Sequence, residues 1–390
     1  NGPAVTLTAG QYTITPSVFA PGDDKVTIGY TFSGTTKTVD QPVTVLDSEA
    51  PILNNEDFYE LSSADHMRWF ANLINTGIRH ALKAKLTANI DLSGVTWTPI
   101  GNSFAQSYAG VFDGNSKTVT LAIEDNDVYS GLFGSIQGAT IKDLTVAGSV
   151  SGSQTTAGIV AAAQGSSLIQ NCVNQATVTG SGSGQLVGGI VASANDTVTI
   201  SSCVNNGNIS SASNYVGGII GYFSSTGMLT GCTNTGAVTG TYHVGGIVGY
   251  DKVGCTISSC ANKGTITATS TSADYGVGGI AGFISGGTML NQCFNSGAVN
   301  GGIMNVGGVA GYLNHASAKV INSYNTGSVT STSTSATSNT GGVVGYTKNA
   351  ACTVQNTYNA GSITGNGTSP NTAGVIGYAA GNTNVSNNYY

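Results

Sequence analysis

The sequence predicts an all-β chain whose main body is a parallel β-helix, in which each turn of chain contributes three short strands. Three observations carry this. First, the phrase VGGIIGY at 216–222 returns as VGGIVGY at 244–250, VGGIAGF at 277–283, VGGVAGY at 306–312, TGGVVGY at 340–346 and, more loosely, AGVIGY at 373–378. Degenerate copies start at 130, 157 and 187. The second glycine falls at 189, 218, 246, 279, 308 and 342, so it recurs every 28 to 34 residues, the spacing of a solenoid or array. Second, each period holds three short runs rich in Val, Ile and Thr, separated by Gly, Asn and Ser, which is strand and turn punctuation. Third, beyond about residue 80 no window combines a 3.6-residue period with helix formers, which disfavours helical repeats.

Stacked turns lie roughly 4.8 Å apart, so equivalent residues form columns along the axis. One predicted column is Asn174, Asn205, Asn234, Asn262, Asn295, Asn325 and Asn359. A second is Cys172, Cys203, Cys232, Cys260 and Cys293, passing into Ser323 and Thr357. A third is aromatic: Tyr222, Tyr250, Phe283, Tyr312, Tyr346 and Tyr378. Stacked amides hydrogen-bond from turn to turn and stacked rings bury their faces, so like-on-like columns stabilise this geometry. The paired glycines let backbones approach closely or take positive φ. They do not form a phosphate loop, which needs a following helix.

In chain order, 1–48 reads as β. The alternation Val26, Ile28, Tyr30, Phe32 turns at Ser33-Gly34 and resumes through Val39, Val43 and Val45. This stretch resembles the last strands of a bacterial immunoglobulin-like domain, and at under 50 residues it is expected to be a partial one. Residues 49–83 hold a linker with Pro51 and the one convincing helix, LSSADHMRWFANLINTG. Ser62 or Ser63 serves as its N-cap and Asp65 favours its positive end. Met67, Phe70, Ala71 and Ile74 share one face, and Gly77 closes it. An amphipathic helix at this place is expected to cover the open first turn of the β-helix, which otherwise exposes apolar core and strand edges. The β-helix itself is expected over 84–390, in nine or ten turns. Its last run, NVSNNYY, ends mid-turn without a cap, which predicts end-to-end contact with a further domain or another copy.

The segments FYELSSADHMRWFANLIN, AKLTANIDLSGVTWTPIG, YAGVFDGNSKTVT and YSGLFGSI stand in this order ahead of the GGIVGY and NCxNxG turns. Together they resemble bacterial surface proteins with GLUG-motif repeats, over about residues 56 to 390. The resemblance implies an extracellular right-handed β-helix within multidomain proteins of gut bacteria. The same repeats occur in the non-catalytic region of IgA peptidases. This chain has no HExxH, so the metallopeptidase activity does not carry over.

Composition narrows the chemistry. Charged residues are 8% of the chain, Gly numbers 57, and the net charge is -6. Between 144 and 390 the only charges are Asp196, Asp251, Asp274, Lys252, Lys263, Lys319 and Lys348. So few bases exclude nucleic-acid binding. No run of 18 apolar residues predicts a membrane span. The seven cysteines are an odd number, so they do not form a complete intrachain disulfide set. Neighbouring column positions are close enough for a bridge, yet small buried reduced side chains are the simpler reading. No zinc spacing is present.

Candidate site residues are few. Glu124, Asp125 and Asp127 form the densest acidic group, the one place where Ca2+ finds clustered carboxylates. The alternative is a solvated loop, with Asp91 and Asp113 capping turns. Tyr108, Tyr215, Tyr242 and Tyr275 read as loop aromatics available for binding, whereas the Tyr222 column reads as corner packing. No catalytic group is legible. The preferred reading is a non-enzymatic module of a bacterial cell surface, a rigid stalk or adhesin in weak contact with host or microbial glycans or surface proteins. A carbohydrate-active lyase or hydrolase using Asp251 or Asp274 is the alternative, and a self-assembling filament subunit is the third.

Overall fold

The computed structural model describes residues 25–32, 35–42 and 50–390, apart from 78, 125–126, 183–184, 213, 271–274, 303, 336, 350 and 367–370. The chain divides into two compact units between Pro51 and Ile52. Of the immunoglobulin-like domain expected over 1–48, the described part is one antiparallel hairpin. It pairs β1 (Lys25–Phe32) with β2 (Thr35–Pro42), Ile28 opposite Val39 and Phe32 opposite Thr35. The strands therefore meet on either side of Ser33 and Gly34, where the alternation turns.

The second unit is a parallel β-solenoid of about 11 turns, with one α-helix among the described residues. The count exceeds the expected nine or ten because the stack starts earlier. Phe58–Leu61 already pairs in parallel with Lys83–Leu86, placing a strand before the helix in the same sheet. Helix α1 (Ala64–Asn75) lies in the connection between those two strands. Ser63 caps it, its side chain accepting from the His66 amide at 3.2 Å. Met67, Phe70, Ala71 and Ile74 are its buried face, as the 3.6 period requires. Phe70 meets the edges of Tyr108 and Phe112, so the helix contributes to the core of the first turns.

From residue 129 onward each turn repeats one pattern. In the turn after Cys203 the strands are Val204–Asn205, Ile209–Ser211, Tyr215–Gly217, Ile220–Ser225 and Met228–Thr230. Strands equivalent to Tyr215–Gly217 stack into a nine-stranded sheet, and those equivalent to Ile220–Ser225 into another. The remaining strands of each turn form a third, longer sheet. The interior is split in two. A large core runs the length of the solenoid and holds Ile219, Phe223, Leu229 and the cysteine column. A smaller valine-rich core holds Ile209, Val216, Val238 and Val244.

Glycine accounts for this split. The two nine-stranded sheets touch backbone to backbone: a Cβ on Gly249 would lie 2.7 Å from the Val216 amide nitrogen, and one on Gly282 would lie 2.7 Å from that of Val244. No side chain fits between them. The glycines of the repeated phrase thus serve close approach and keep negative φ. The positive φ of the sharp corner falls instead on the residue before each cysteine or its equivalent, among them Asn171, Ser202, Ser259, Gln292, Asn322 and Asn356.

The polar columns are internal. Asn174 donates to Asn205 Oδ1 at 2.7 Å, and the same 2.7 Å bond repeats through Asn234, Asn262, Asn295, Asn325 and Asn359. Each amide also donates to the carbonyl two residues on, as Asn262 does to Gly264 at 2.9 Å. A buried polar group costs stability only when unpaired, so this column rigidifies the interior. It also explains a sequence coincidence. A Cβ on Gly246 would lie 2.4 Å from Asn262 Cγ, so the second glycine of the phrase is the lid over the asparagine. Cys172, Cys203, Cys232, Cys260 and Cys293 are buried free thiols. Each donates to a carbonyl of the preceding turn, as Cys260 does to Leu229 at 3.7 Å. Hydrogen bonds with the neighbouring thiols of the column, and burial, keep Cys203 and Cys293 protonated far above the usual thiol range. Among the described residues no helix is long and apolar enough to cross a membrane.

Candidate binding groove

Where the two nine-stranded sheets diverge, the first side chains beyond the glycine contact line a groove along the solenoid. One wall is the aromatic column. Tyr222 pairs with Tyr250, then Phe283, Tyr312, Tyr346 and Tyr378 follow in register. Its rings are 4.6 to 5.6 Å apart between centroids. The column is therefore a groove wall, neither fully exposed nor fully interior. Exposure rises from 3% at Tyr312 to 45% at Tyr378.

The other wall comes from the residue just before each V-G-G phrase. In order it is Leu186, Tyr215, His243, Gly276, Asn305, Asn339 and Asn371. This change of residue divides the groove. In its first half large rings fill the space: Tyr215 stacks on His243 at 5.4 Å and 5°, and lies 4.9 Å from Tyr250. Phe283 is 4.6 Å and Tyr275 5.0 Å from the same imidazole, and Tyr242 meets Tyr275 at 4.3 Å. Burial drives His243 down to about 3, so its ring is neutral, and its Nδ1 has no hydrogen-bond partner among the described residues. Burial likewise raises the Tyr215 phenol. Tyr215, Tyr242 and Tyr275 are thus half-buried members of one aromatic cluster closing this half.

In the second half the wall shrinks to amides and the groove opens. A cavity of about 350 Å³ is bounded by Asn305, Asn339 and Asn371 on one side and Tyr312, Tyr346 and Tyr378 on the other, with Met304, Thr337 and Lys348 at its rim. The asparagines form their own ladder. Asn371 donates to Asn339 Oδ1 and Asn339 to Asn305 Oδ1, each at 2.8 Å, and Asn305 donates to the Tyr275 carbonyl at 2.8 Å. This ladder fixes the amide planes. The amides of Asn339 and Asn371 each have two N–H donors and an oxygen with two lone pairs, more than the ladder bonds themselves consume. Such a surface offers rings for apolar C–H faces and preset polar groups for hydroxyls.

Two candidates from the sequence lie elsewhere. Tyr108, expected on a loop, is a core residue with no exposed surface. The short helical turn Phe104–Gln106 directs it inward, where its ring stacks on Phe133 at 5.8 Å and its hydroxyl donates to the Leu82 carbonyl at 2.8 Å. Asp251, the acid named for catalysis, is also interior. It stands in register with Phe223 and Ile284 and has no exposed surface. Its Oδ2 accepts from the Thr288 hydroxyl, and among the described residues Oδ1 is without a partner in hydrogen-bonding geometry. Burial raises its carboxyl to about 6, only partly offset by Thr288, Cys255 and nearby amides. A carboxylate sealed in a core does not reach a substrate.

Asp274 and Asp125 lie outside the described residues. Glu124 and Asp127 border a hollow of about 540 Å³ beside Trp97. Among the described residues, no group of three or more His, Cys, Asp or Glu is placed to hold a metal ion. Asp91 and Asp113 bond to nearby turn amides, Ser93 N at 2.9 Å and Asn115 N at 2.8 Å, and Asp113 also pairs with Lys142 at 2.8 Å. The asparagine wall escaped the sequence reading. Its signal is the recurrence of Asn before V-G-G, T-G-G and T-A-G in the last three turns.

No protein-family model matches the chain, and no curated protein does. Its fold is similar to that of a putative immunoglobulin A1 protease from Bacteroides ovatus, with TM-score 0.55 and 22% identity, over 64% of this chain and 78% of that one. A protein named IgA1 Protease aligns at TM-score 0.44 and 15% identity, over 93% of this chain and 24% of that one.

Proposed function

We propose that this chain is a non-enzymatic, extracellular module of a bacterial cell surface: a rigid solenoid whose open half-groove binds glycan. The observation that carries the reading is the placement of Asn339 and Asn371 opposite Tyr346 and Tyr378 across one cavity. A sugar ring has an apolar C–H face and hydroxyls that both donate and accept. Tyrosine rings match the first and amides the second. The cavity is within the size of small-ligand sites, at the low end of roughly 300–1,000 Å³. Weak contacts of this kind gain strength when many copies act together on one surface. The resemblance to GLUG-repeat surface proteins supports a bacterial surface setting, and the Bacteroides ovatus neighbour shares the solenoid fold.

The test is a glycan array probed with the intact chain and with Tyr346→Ala. Binding that falls on substitution supports the reading; an array with no signal above background sinks it. A protease-associated role is the second reading, favoured by the name of the Bacteroides ovatus neighbour. Incubation with immunoglobulin A1 decides it, since a discrete cleavage fragment would replace the binding reading.

A further inference from the structure

The charges of the chain are distributed unevenly with respect to the groove. All 18 acidic residues precede Tyr275, and from there to Tyr390 the only charges are Lys319 and Lys348. The net negative charge therefore belongs to the other part of the molecule. The open half-groove lies in turns free of carboxylates, and Lys348 is exposed at its rim. Among the described residues Lys348 makes no ion pair; the pairs present join Arg68 to Asp65 and Lys142 to Asp113 and Asp143.

Lys348 also has a counterpart. It follows Tyr346 by two residues, and Lys252 follows Tyr250 by two, so both occupy the same step of the repeat. Their backbones confirm this: the Lys252 amide donates to Phe223 O and the Lys348 amide to Leu313 O, equivalent carbonyls of the preceding turns. Three turns separate them, roughly 14 Å along the groove at one strand spacing per turn. Lys252 is exposed beside the Tyr222 hydroxyl, whose hydrogen bond raises its ammonium pKa.

We infer that the groove selects acidic glycans, with Lys348 receiving a carboxylate or sulfate of the sugar held in the open half and Lys252 meeting a second anionic group farther along the chain. This rests on the glycan reading above and adds the class of sugar. An ammonium at a groove rim that makes no ion pair among the described residues gains a charge-assisted hydrogen bond from such a ligand. The same rim gives a neutral sugar nothing comparable. The effect is modest for exposed charges, at most about fivefold in affinity per lysine.

Calorimetric titration of the intact chain tests it with matched pairs: 3′-sialyllactose against lactose, an oligogalacturonide against its methyl ester, and a sulfated against an unsulfated galactan oligosaccharide. The expected result is a three- to fivefold preference for the charged member, lost in 1 M salt. In Lys348→Gln the ratio of charged to neutral affinity falls toward one, and in Lys348→Arg it is retained. The carboxylated and sulfated arms tell which anion is preferred. Equal affinity within every pair overturns the inference while leaving the glycan reading intact. So does a preference that survives Lys348→Gln combined with Lys252→Gln. Absence of binding to every member removes the glycan reading and this inference with it.

Discussion

Asn325 and Asn339 belong to the same turn and carry the same amide, yet they do different work. Asn325 is fully buried: it accepts from Asn295, donates to Asn359 and to the Gly327 carbonyl, each at 2.7 Å, and accepts from the Gly327 amide at 3.2 Å. Asn339 stands at the groove wall and makes two bonds, to Asn305 and from Asn371. A column of identical side chains becomes a structural element where all its valences are used inside. Where some are left facing a cavity, it can serve the glycan binding proposed above. Repetition alone does not distinguish the two; satisfaction does.

The largest expected effect separates the columns by stability. Asn325→Ala leaves the Gly327 carbonyl and the neighbouring amides of Asn295 and Asn359 without buried partners, which should cost about 3 kcal/mol or more. Urea unfolding of the variant should show it as a lower midpoint, and an unchanged midpoint would break the comparison. A second substitution concerns the interior group that is not fully satisfied. Asp251 holds its proton more tightly folded, at about 6, than at its ordinary value of 3.8. Its contribution to stability is therefore full below about pH 4 and is lost as pH rises toward 6 and beyond. Asp251→Asn removes that loss, so at pH 7 the variant should be more stable by up to about 3 kcal/mol, and the advantage should vanish near pH 4. Denaturation curves at pH 4, 5, 6 and 7 check the sign; a variant less stable at pH 7 refutes it. The smallest effect is Asn339→Ala. It should cost about 1 to 2 kcal/mol, because it takes the Asn339 donor from the buried Asn305 Oδ1, and weaken glycan binding about fivefold. Paired titration and urea unfolding would sharpen the contrast with Asn325, and a stability loss as large at 339 as at 325 would erase it.

The columns were legible because they recur from turn to turn: an asparagine shortly after each cysteine or tyrosine and, from Tyr222 onward, an aromatic closing each glycine phrase. The helix face of Met67, Phe70, Ala71 and Ile74 was legible for the same reason of period. The groove was not. Its asparagine wall occupies a position held elsewhere by Leu186, Tyr215, His243 and Gly276, so no pattern across all turns announces it. Tyr108 was not legible as core because it joins the stack by a single parallel bridge to Ile136, without the repeat's signature. The number of turns was underestimated because Phe58–Leu61, separated from the repeats by a helix, joins the stack without the repeat's signature.

By itself, the sequence determined which residues stack on which. In a solenoid one period of chain is one step along the axis, and equal spacing becomes contact. Only the tertiary structure decided what each column faces. From Thr155 onward the strands are two to six residues long, too short for alternation to tell inside from outside. The contact that creates the groove, glycine backbone on glycine backbone between two sheets, leaves no side-chain pattern to read.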